Sequence, residues 1–294
     1  MLEKLMNKFK LVFCIFSVLL VNLLFAGSAF ADQIKLTVED LGATGDIQLK
    51  TVKTFRDYYF TKPEHWNVLN TSKLNLVFQH SPKLLPERSS LNILINDQII
   101  ETIDLVEANA EKTATTIAIP TNILKDYNKL TFDVDQHYTY KCEDPFDASL
   151  WTTVLKDTTL ILDYNKMEPK KDFAKFPYPL YDPLEYGVTK LGFVIPKANS
   201  NSDDTLKALG MVDALLAKAI GWQELKIVAY DADNVTDENN LILVGTPSEN
   251  TAIEKLNASM PIKISGNSFN NVDDETGVLM IVQNPSNKSN SILV

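Results

Sequence analysis

The stretch of this chain richest in side chains able to do chemistry runs His137-Tyr-Thr-Tyr-Lys-Cys142-Glu-Asp-Pro-Phe-Asp-Ala-Ser-Leu-Trp151. It mixes aromatic rings, carboxylates, an imidazole and a thiol. That mixture suits sugar recognition. Tyr138 or Trp151 would stack on the apolar face of a pyranose, while Glu143 or Asp144 accepts hydrogen bonds from its hydroxyls. A structural loop would use the same residues differently. Trp151 would plug a core, Cys142 would be a small buried apolar residue, and Asp144 would hold the turn before Pro145.

Catalytic arrangements are missing elsewhere. His65, His80 and His137 are far apart in the chain and form no H-x-x-x-H or H-x-H pair. With Cys142 the only cysteine past the N-terminal region, the usual zinc ligand sets are not available. No G-x-S-x-G elbow occurs. Leu241-Ile-Leu-Val-Gly245-Thr246-Pro247 runs a strand into a glycine turn but lacks both phosphate-binding glycine patterns, and reads as a tight connection. The expectation is a protein that binds rather than reacts, with no cofactor and no metal.

Elements that would position the 137–151 segment are legible on both sides of it. Ile34–Val38, Ile47–Val52, Leu74–Phe78, Leu91–Ile95, Thr116–Ile119, Leu130–Val134 and Thr159–Asp163 alternate apolar and polar residues. Period-two alternation marks strands with one buried face. Asn96-Asp97 between two apolar pairs reads as a hairpin turn. Many short strands with turn signals predict a β-sandwich or jelly roll. Pro169, Pro177, Pro179 and Pro183 then mark a seam that no central strand or helix interior would tolerate, pinned by Phe176, Tyr178 and Tyr181.

Past the seam the period changes. Leu191–Ile195, Lys226–Tyr230, Leu241–Gly245 and Gly277–Val282 read as buried strands. A helix starting at Asp203 or Asp204 runs to Ile220, with Gly221 as its stop, and Ser248–Leu256 is a shorter helix. Strand–helix–strand order predicts a parallel α/β sheet. Ser291-Ile-Leu-Val294 reads as a strand barely begun, so the natural protein is expected to continue.

The N-terminus predicts export. Lys4, Lys8 and Lys10 precede an apolar run, Leu11–Phe25, broken only by Ser17 and Asn22, and Ala29-Phe30-Ala31 is a small-x-small cleavage pattern. Residues 1–31 thus read as a signal peptide, and the run is too short for a spanning helix. Removing it leaves 37 acidic and 25 basic residues out of 38 and 28, a mature charge near −12. Nucleic-acid binding is excluded on that balance, because phosphates need a basic face.

The string His137-Tyr-Thr…Cys142-Glu-Asp-Pro145…Ser149-Leu-Trp151 resembles the signature of the extracytoplasmic regulatory subunit of bacterial cellulose synthase, the BcsB family. Ser81-Pro-Lys-Leu-Leu-Pro86, Ser90–Asn96, Asp126–Leu130 and Leu191–Pro196 agree with it. The resemblance implies a mixed β and α/β chain: a carbohydrate-binding-like jelly roll over 32–168, a linker over 169–188, and a flavodoxin-like α/β domain over 189–294, incomplete at its C-terminus. It implies as partners the catalytic subunit of cellulose synthase and the nascent β-glucan. It also implies membrane association through a C-terminal helix absent from this chain, at the periplasmic or outer face of the cytoplasmic membrane. The alternative is a secreted glycan-binding module without a synthase partner. The family also bears the label of cyclic di-GMP binding. Here the mature chain has only Arg56 and Arg88 to offer a phosphate, and flavodoxin-like folding does not imply flavin.

Overall fold

A computed structural model describes residues 31–196, 203–221, 224–236, 239–266, 268–273 and 276–294. The expected signal peptide, except for Ala31, lies outside the described residues. Among the described residues eleven strands precede the proline-rich seam: β1 (Asp32–Thr37), β2 (Ile47–Lys50), β3 (Lys53–Thr61), β4 (Trp66–Val68), β5 (Lys73–His80), β6 (Ser90–Ile95), β7 (Gln98–Asp104), β8 (Thr113–Ala118), β9 (Tyr127–Asp135), β10 (Trp151–Val154) and β11 (Thr159–Lys166). They form two antiparallel sheets. In one, β5 lies between β8 and the successive strands β10 and β11; β10 then pairs with β2, and β11 with β4 and β1. The other runs β3-β9-β6-β7.

Alternation places the core between these sheets. Leu74, Leu76 and Phe78 of β5 face inward while Asn75, Val77 and Gln79 face the other way. Across the sandwich, Leu91, Ile93, Ile95, Leu130, Phe132 and Val134 complete one buried cluster. The expected hairpin joins β6 to β7 by two residues, Asn96 (φ 51) and Asp97 (φ 68), both left-handed as such tight turns require. One polar group is buried by design: Gln136 donates to the carbonyls of Leu49 and Thr51 and accepts from the Thr152 hydroxyl. It ties the chain following β9 to β2 and β10.

Among the described residues seven strands follow the seam: β12 (Thr189–Ile195), β13 (Leu225–Asp231), β14 (Asn240–Leu243), β15 (Ile264–Ser265), β16 (Ser268–Phe269), β17 (Ile281–Gln283) and β18 (Ser291–Leu293), with helices α1 (Asp203–Ile220) and α2 (Thr251–Lys255). The main sheet runs β13-β12-β14-β18-β17. Leu191 and Phe193 face α1, and Val194 faces α2 and the β15–β16 hairpin, so both faces are covered. The expected all-parallel sheet needs one correction: β17 and β18 pair antiparallel. Only residues 284–290 join them, too few for the crossover of a dozen or more that a parallel pair demands. The run Gly277–Met280, read as strand from its apolar residues, lies before β17 and outside it. Gly192 is required by close approach, since a Cβ there would come within 2.6 Å of Leu241 and Tyr230 side-chain atoms.

Between β11 and β12 the chain is held on both sides. Phe176, Leu180 and Tyr181 pack into the α1-side core. Asn240 donates to the carbonyls of Pro179 and Leu180 and accepts from the Ser291 N–H. On the sandwich side, the Tyr186 hydroxyl accepts from the Thr61 N–H at 2.7 Å and donates to its carbonyl at 2.9 Å. Lys170 and Lys175 both reach Glu64, whose carboxyl they hold down at about 2.

Candidate functional site

Strand register builds a polar patch on the solvent face of the β5-containing sheet. Thr153 of β10 lies opposite Gln48 on one neighbour and Gln79 on the other. One pleat along, Trp151 lies opposite Lys50. Because alternate residues share a face, this row of side chains points away from the core. The 137–150 segment returns over one end of the patch and brings Phe146 and Asp147 beside Trp151. Together these residues line an open cleft of about 690 Å³. Phe146 is 81% exposed. A flat indole, an exposed phenyl ring and a row of amide, hydroxyl and ammonium groups make a surface that can stack on a sugar ring and hydrogen-bond its edge.

The four residues singled out from sequence divide into two places. Trp151 lines the cleft, half-buried, and does not plug the sandwich core; Leu150 beside it takes that inward position. Period-two geometry forces this, since neighbours on a strand face opposite ways. Tyr138, Glu143 and Asp144 come together, but as partners of one another. Tyr138 packs against the core, and its hydroxyl accepts from the Asp144 N–H at 3.1 Å. Asp144 accepts from the Phe146 N–H, which holds the turn at Pro145 as expected. Glu143 accepts from the Tyr138 N–H with one oxygen and meets the His137 ring at 2.6 Å with the other. Burial pushes the Glu143 carboxyl up, yet the Tyr138 N–H and the His137 contact outweigh it and hold the group below its ordinary value. Cys142 is exposed, contrary to its reading as a small core residue, because this segment leaves the sheet and has no second layer over it.

Sequence reasoning passed over Gln48, Lys50, Gln79, Phe146, Asp147 and Thr153. For Gln48, Lys50, Gln79 and Thr153 the polar positions of alternating strands were the only signal, whereas Phe146 and Asp147 lie within the 137–151 segment already marked by its composition. The histidines keep separate company: His80 bonds Asn109, His65 bonds Glu185, and His137 bridges Asp135 and Glu143. Arg88 donates to the Thr139 carbonyl and Arg56 to that of Phe55. Among the described residues no group of three or more His, Cys, Asp or Glu is arranged to hold a metal ion, and no helix is long and apolar enough to cross a membrane.

The described residues form a β-sandwich with an open aromatic cleft, followed by an α/β sheet, a fold of mostly β structure. Residues 31–166 match the family model described as cellulose synthase BcsB, first CBM domain, and residues 172–294 match cellulose synthase BcsB, first FD domain. The chain belongs to the cellulose synthase BcsB family. A "Cyclic di-GMP-binding protein" of Xanthomonas axonopodis pv. citri (strain 306) is 25% identical over 259 residues, 88% of this chain and 31% of that protein. "Cellulose synthase 2" of Novacetimonas hansenii is 24% identical over 247 residues, 84% of this chain and 15% of that protein. The chain therefore spans about a third or less of the length of these relatives. Among solved structures, "Carbohydrate-Binding Module CBM36 in complex with calcium and xylotriose" aligns over 45% of this chain and 99% of that one, at 8% identity and a TM-score of 0.22.

Proposed function

We propose that this chain acts as a non-catalytic, extracytoplasmic accessory subunit of a cellulose-type polysaccharide synthase, where it receives the nascent β-glucan and guides it outward. The observation that carries this reading is the cleft. It presents Trp151 and Phe146 beside Gln48, Lys50, Gln79 and Thr153, on a sandwich that matches a BcsB carbohydrate-binding-module domain. Trp151 stacks on a pyranose face, and the amides and hydroxyl exchange hydrogen bonds with the ring hydroxyls. Tyr138, Glu143 and Asp144 support the loop that frames the cleft, rather than touching sugar. The cleft is open, so contacts are few and weak, as a surface that must let a chain pass requires.

The sandwich, read as a jelly roll over 32–168, and the α/β half over 189–294 are two domains on this reading, joined by 169–188. The order β13-β12-β14 corresponds to the 2-1-3 start of a flavodoxin-like sheet. The partner is the synthase's catalytic subunit, and the N-terminal leader delivers the chain to the periplasmic or outer face of the membrane. A cytoplasmic nucleotide does not reach that side, and Arg56 and Arg88 are each engaged with a backbone carbonyl. Deleting the gene while leaving the synthase intact is expected to abolish polymer. Normal polymer output in that strain would overturn the proposal.

A further inference from the structure

The outer face of the β3-β9-β6-β7 sheet carries apolar area that the core does not use. Tyr58 and Phe60 of β3 turn inward, where Tyr58 meets Phe132 and Phe60 is buried. Their neighbours Phe55 and Tyr59 turn outward, and each is more than half exposed. Register adds two more such side chains to this face. Tyr59 lies opposite Lys129 and Thr61 opposite Tyr127, so Tyr127 is the diagonal neighbour of Tyr59, about 7–8 Å away. Ile99 of β7 lies opposite Leu94 of β6, which lies opposite Thr131 of β9. Tyr127 and Ile99 are also more than half exposed. A single exposed ring is ordinary, whereas four large apolar side chains open on one face of one sheet mark a contact surface.

Between the rings the face is polar, and its polar groups are held in place. Phe55 and Tyr59 stand about 13 Å apart along β3, with Asp57 midway between them on the same face. The Thr131 hydroxyl donates to Asp57 at 2.6 Å. Asn92 accepts from the Thr102 hydroxyl at 2.8 Å and donates to Asp133. Lys129 bonds Asp97 and lends its charge to Asp57, while Lys53 does the same for Asp133. Each of these carboxylates has a basic neighbour, so the face offers a charged partner no counter-charge. Each also keeps lone pairs for hydroxyl donors. Two flat rings with a fixed acceptor between them suit a neutral, extended, polyhydroxylated chain whose rings have apolar faces. Phe55 and Tyr59 stack on pyranose rings, and Asp57 accepts from the hydroxyls of the sugar between them. An apolar protein surface laid here would strip water from Asp57 and Asp133 and return no hydrogen bond.

We propose that the outer face of the β3-β9-β6-β7 sheet, centred on Phe55, Asp57 and Tyr59, is a second β-glucan-binding surface, so that one sandwich holds glucan on both of its outer faces. This rests on the reading that the chain binds β-glucan, and not on the Trp151 cleft being a site. The outer faces of a two-sheet sandwich point away from each other, so glucan held at one leaves the other open. Two weak surfaces give avidity for neighbouring glucan segments without tightening either contact.

The test is cellohexaose titrated into the nitrogen-15-labelled full chain as wild type, as Trp151→Ala, and as the double variant Phe55→Ala with Tyr59→Ala. In wild type and in Trp151→Ala, the backbone amides of Asp57, Lys129 and Thr131 are expected to shift saturably. In the double variant, affinity read at those amides should fall about tenfold or more, the scale of lost ring stacking, while Gln48, Gln79 and Thr153 respond as in wild type. If the double variant does not fold, the other two titrations carry the decision. Wild-type shifts confined to β2, β5 and β10 overturn the second surface and leave the cleft standing. Shifts confined to β3 and β9 uphold the second surface and remove the cleft. No shift at saturating sugar overturns both. A wild-type chain that sediments as a dimer, becomes a monomer in the double variant and shows no sugar shift at β3 makes this face a contact between copies, and overturns the proposal.

Discussion

Two tryptophans of the sandwich lie near superficially similar chemistry, and their difference separates scaffold from site. Trp66 is 3% exposed. Its ring stacks flat on Tyr164 at a 3.5 Å centroid separation, and its indole N–H donates to Glu185. Beside it, His65 bonds Glu185 at 2.8 Å, with Asp182 3.8 Å from its other nitrogen. Burial pushes Glu185 up, but the His65 contact, the charge of Lys166 and the Trp66 N–H hold it below its ordinary value; burial raises the Asp182 carboxyl. The Trp66 indole N–H and the His65 ring both engage Glu185, in the segment that leads to β12. Near Trp151, His137 and Glu143 instead brace a neighbouring loop and leave the indole half-open to solvent. Aromatic area closed over on both faces stabilises a fold, whereas aromatic area held rigid with one face open can stabilise a ligand.

Substitutions sharpen that contrast. Trp66→Ala is expected to destabilise the chain by about 3–5 kcal/mol in chemical denaturation, the scale of a large buried aromatic. Trp151→Ala should cost about 1 kcal/mol or less, because a half-open side chain leaves no sealed cavity, while removing glycan affinity. Equal losses of stability would erase the distinction between the two sites. Next in size, Gly192→Ala should cost about 1–3 kcal/mol through overpacking against Leu241 and Tyr230. Its effect should appear in hydrogen exchange of β12–β14 and not in β5 or β9.

Glu185→Gln should cost about 2 kcal/mol near neutral pH, the worth of a largely buried charged acceptor. Because the folded value of Glu185 is depressed, its contribution is present above the ordinary carboxylate range and is lost as pH falls through the folded value. The smallest effect is Glu64→Gln, at most about 1 kcal/mol for an ion pair open to solvent and screened by salt. The contribution of Glu64 is complete above about 4.5 and fades as pH falls toward about 2, so wild type and variant should converge in denaturation curves at the acid end. Divergence there would show that Glu64 acts through packing and not through its charge.

Much of this architecture is legible in the chain because period-two burial is a local signal. β5 and β6 alternate cleanly, and Asn96-Asp97 announces its turn. β3 escapes because Lys-Thr-Phe-Arg-Asp-Tyr-Tyr-Phe-Thr belongs to an edge strand whose aromatic residues fall on both faces, with Phe55 and Tyr59 exposed and Phe60 buried. β10 begins at Trp151, the last residue of a segment read as loop. The site was half legible for a related reason. Composition marks the 137–151 segment as unusual, but Gln48 and Gln79 become neighbours of Thr153 only through pairing between distant strands. Which of Tyr138, Glu143 and Asp144 is already engaged depends on hydrogen bonds inside the loop, which spacing alone does not fix.

The account turns on sugar binding at the open tryptophan, and the most direct measurement is a titration of the nitrogen-15-labelled full chain with cellohexaose, followed at the indole N–H resonances. The Trp151 resonance, assigned by its loss in Trp151→Ala, is expected to shift saturably together with backbone amides of Gln48, Gln79 and Thr153, while Trp66 stays fixed. Shifts confined to Trp66 or to the α/β half, or none at saturating sugar, would contradict it.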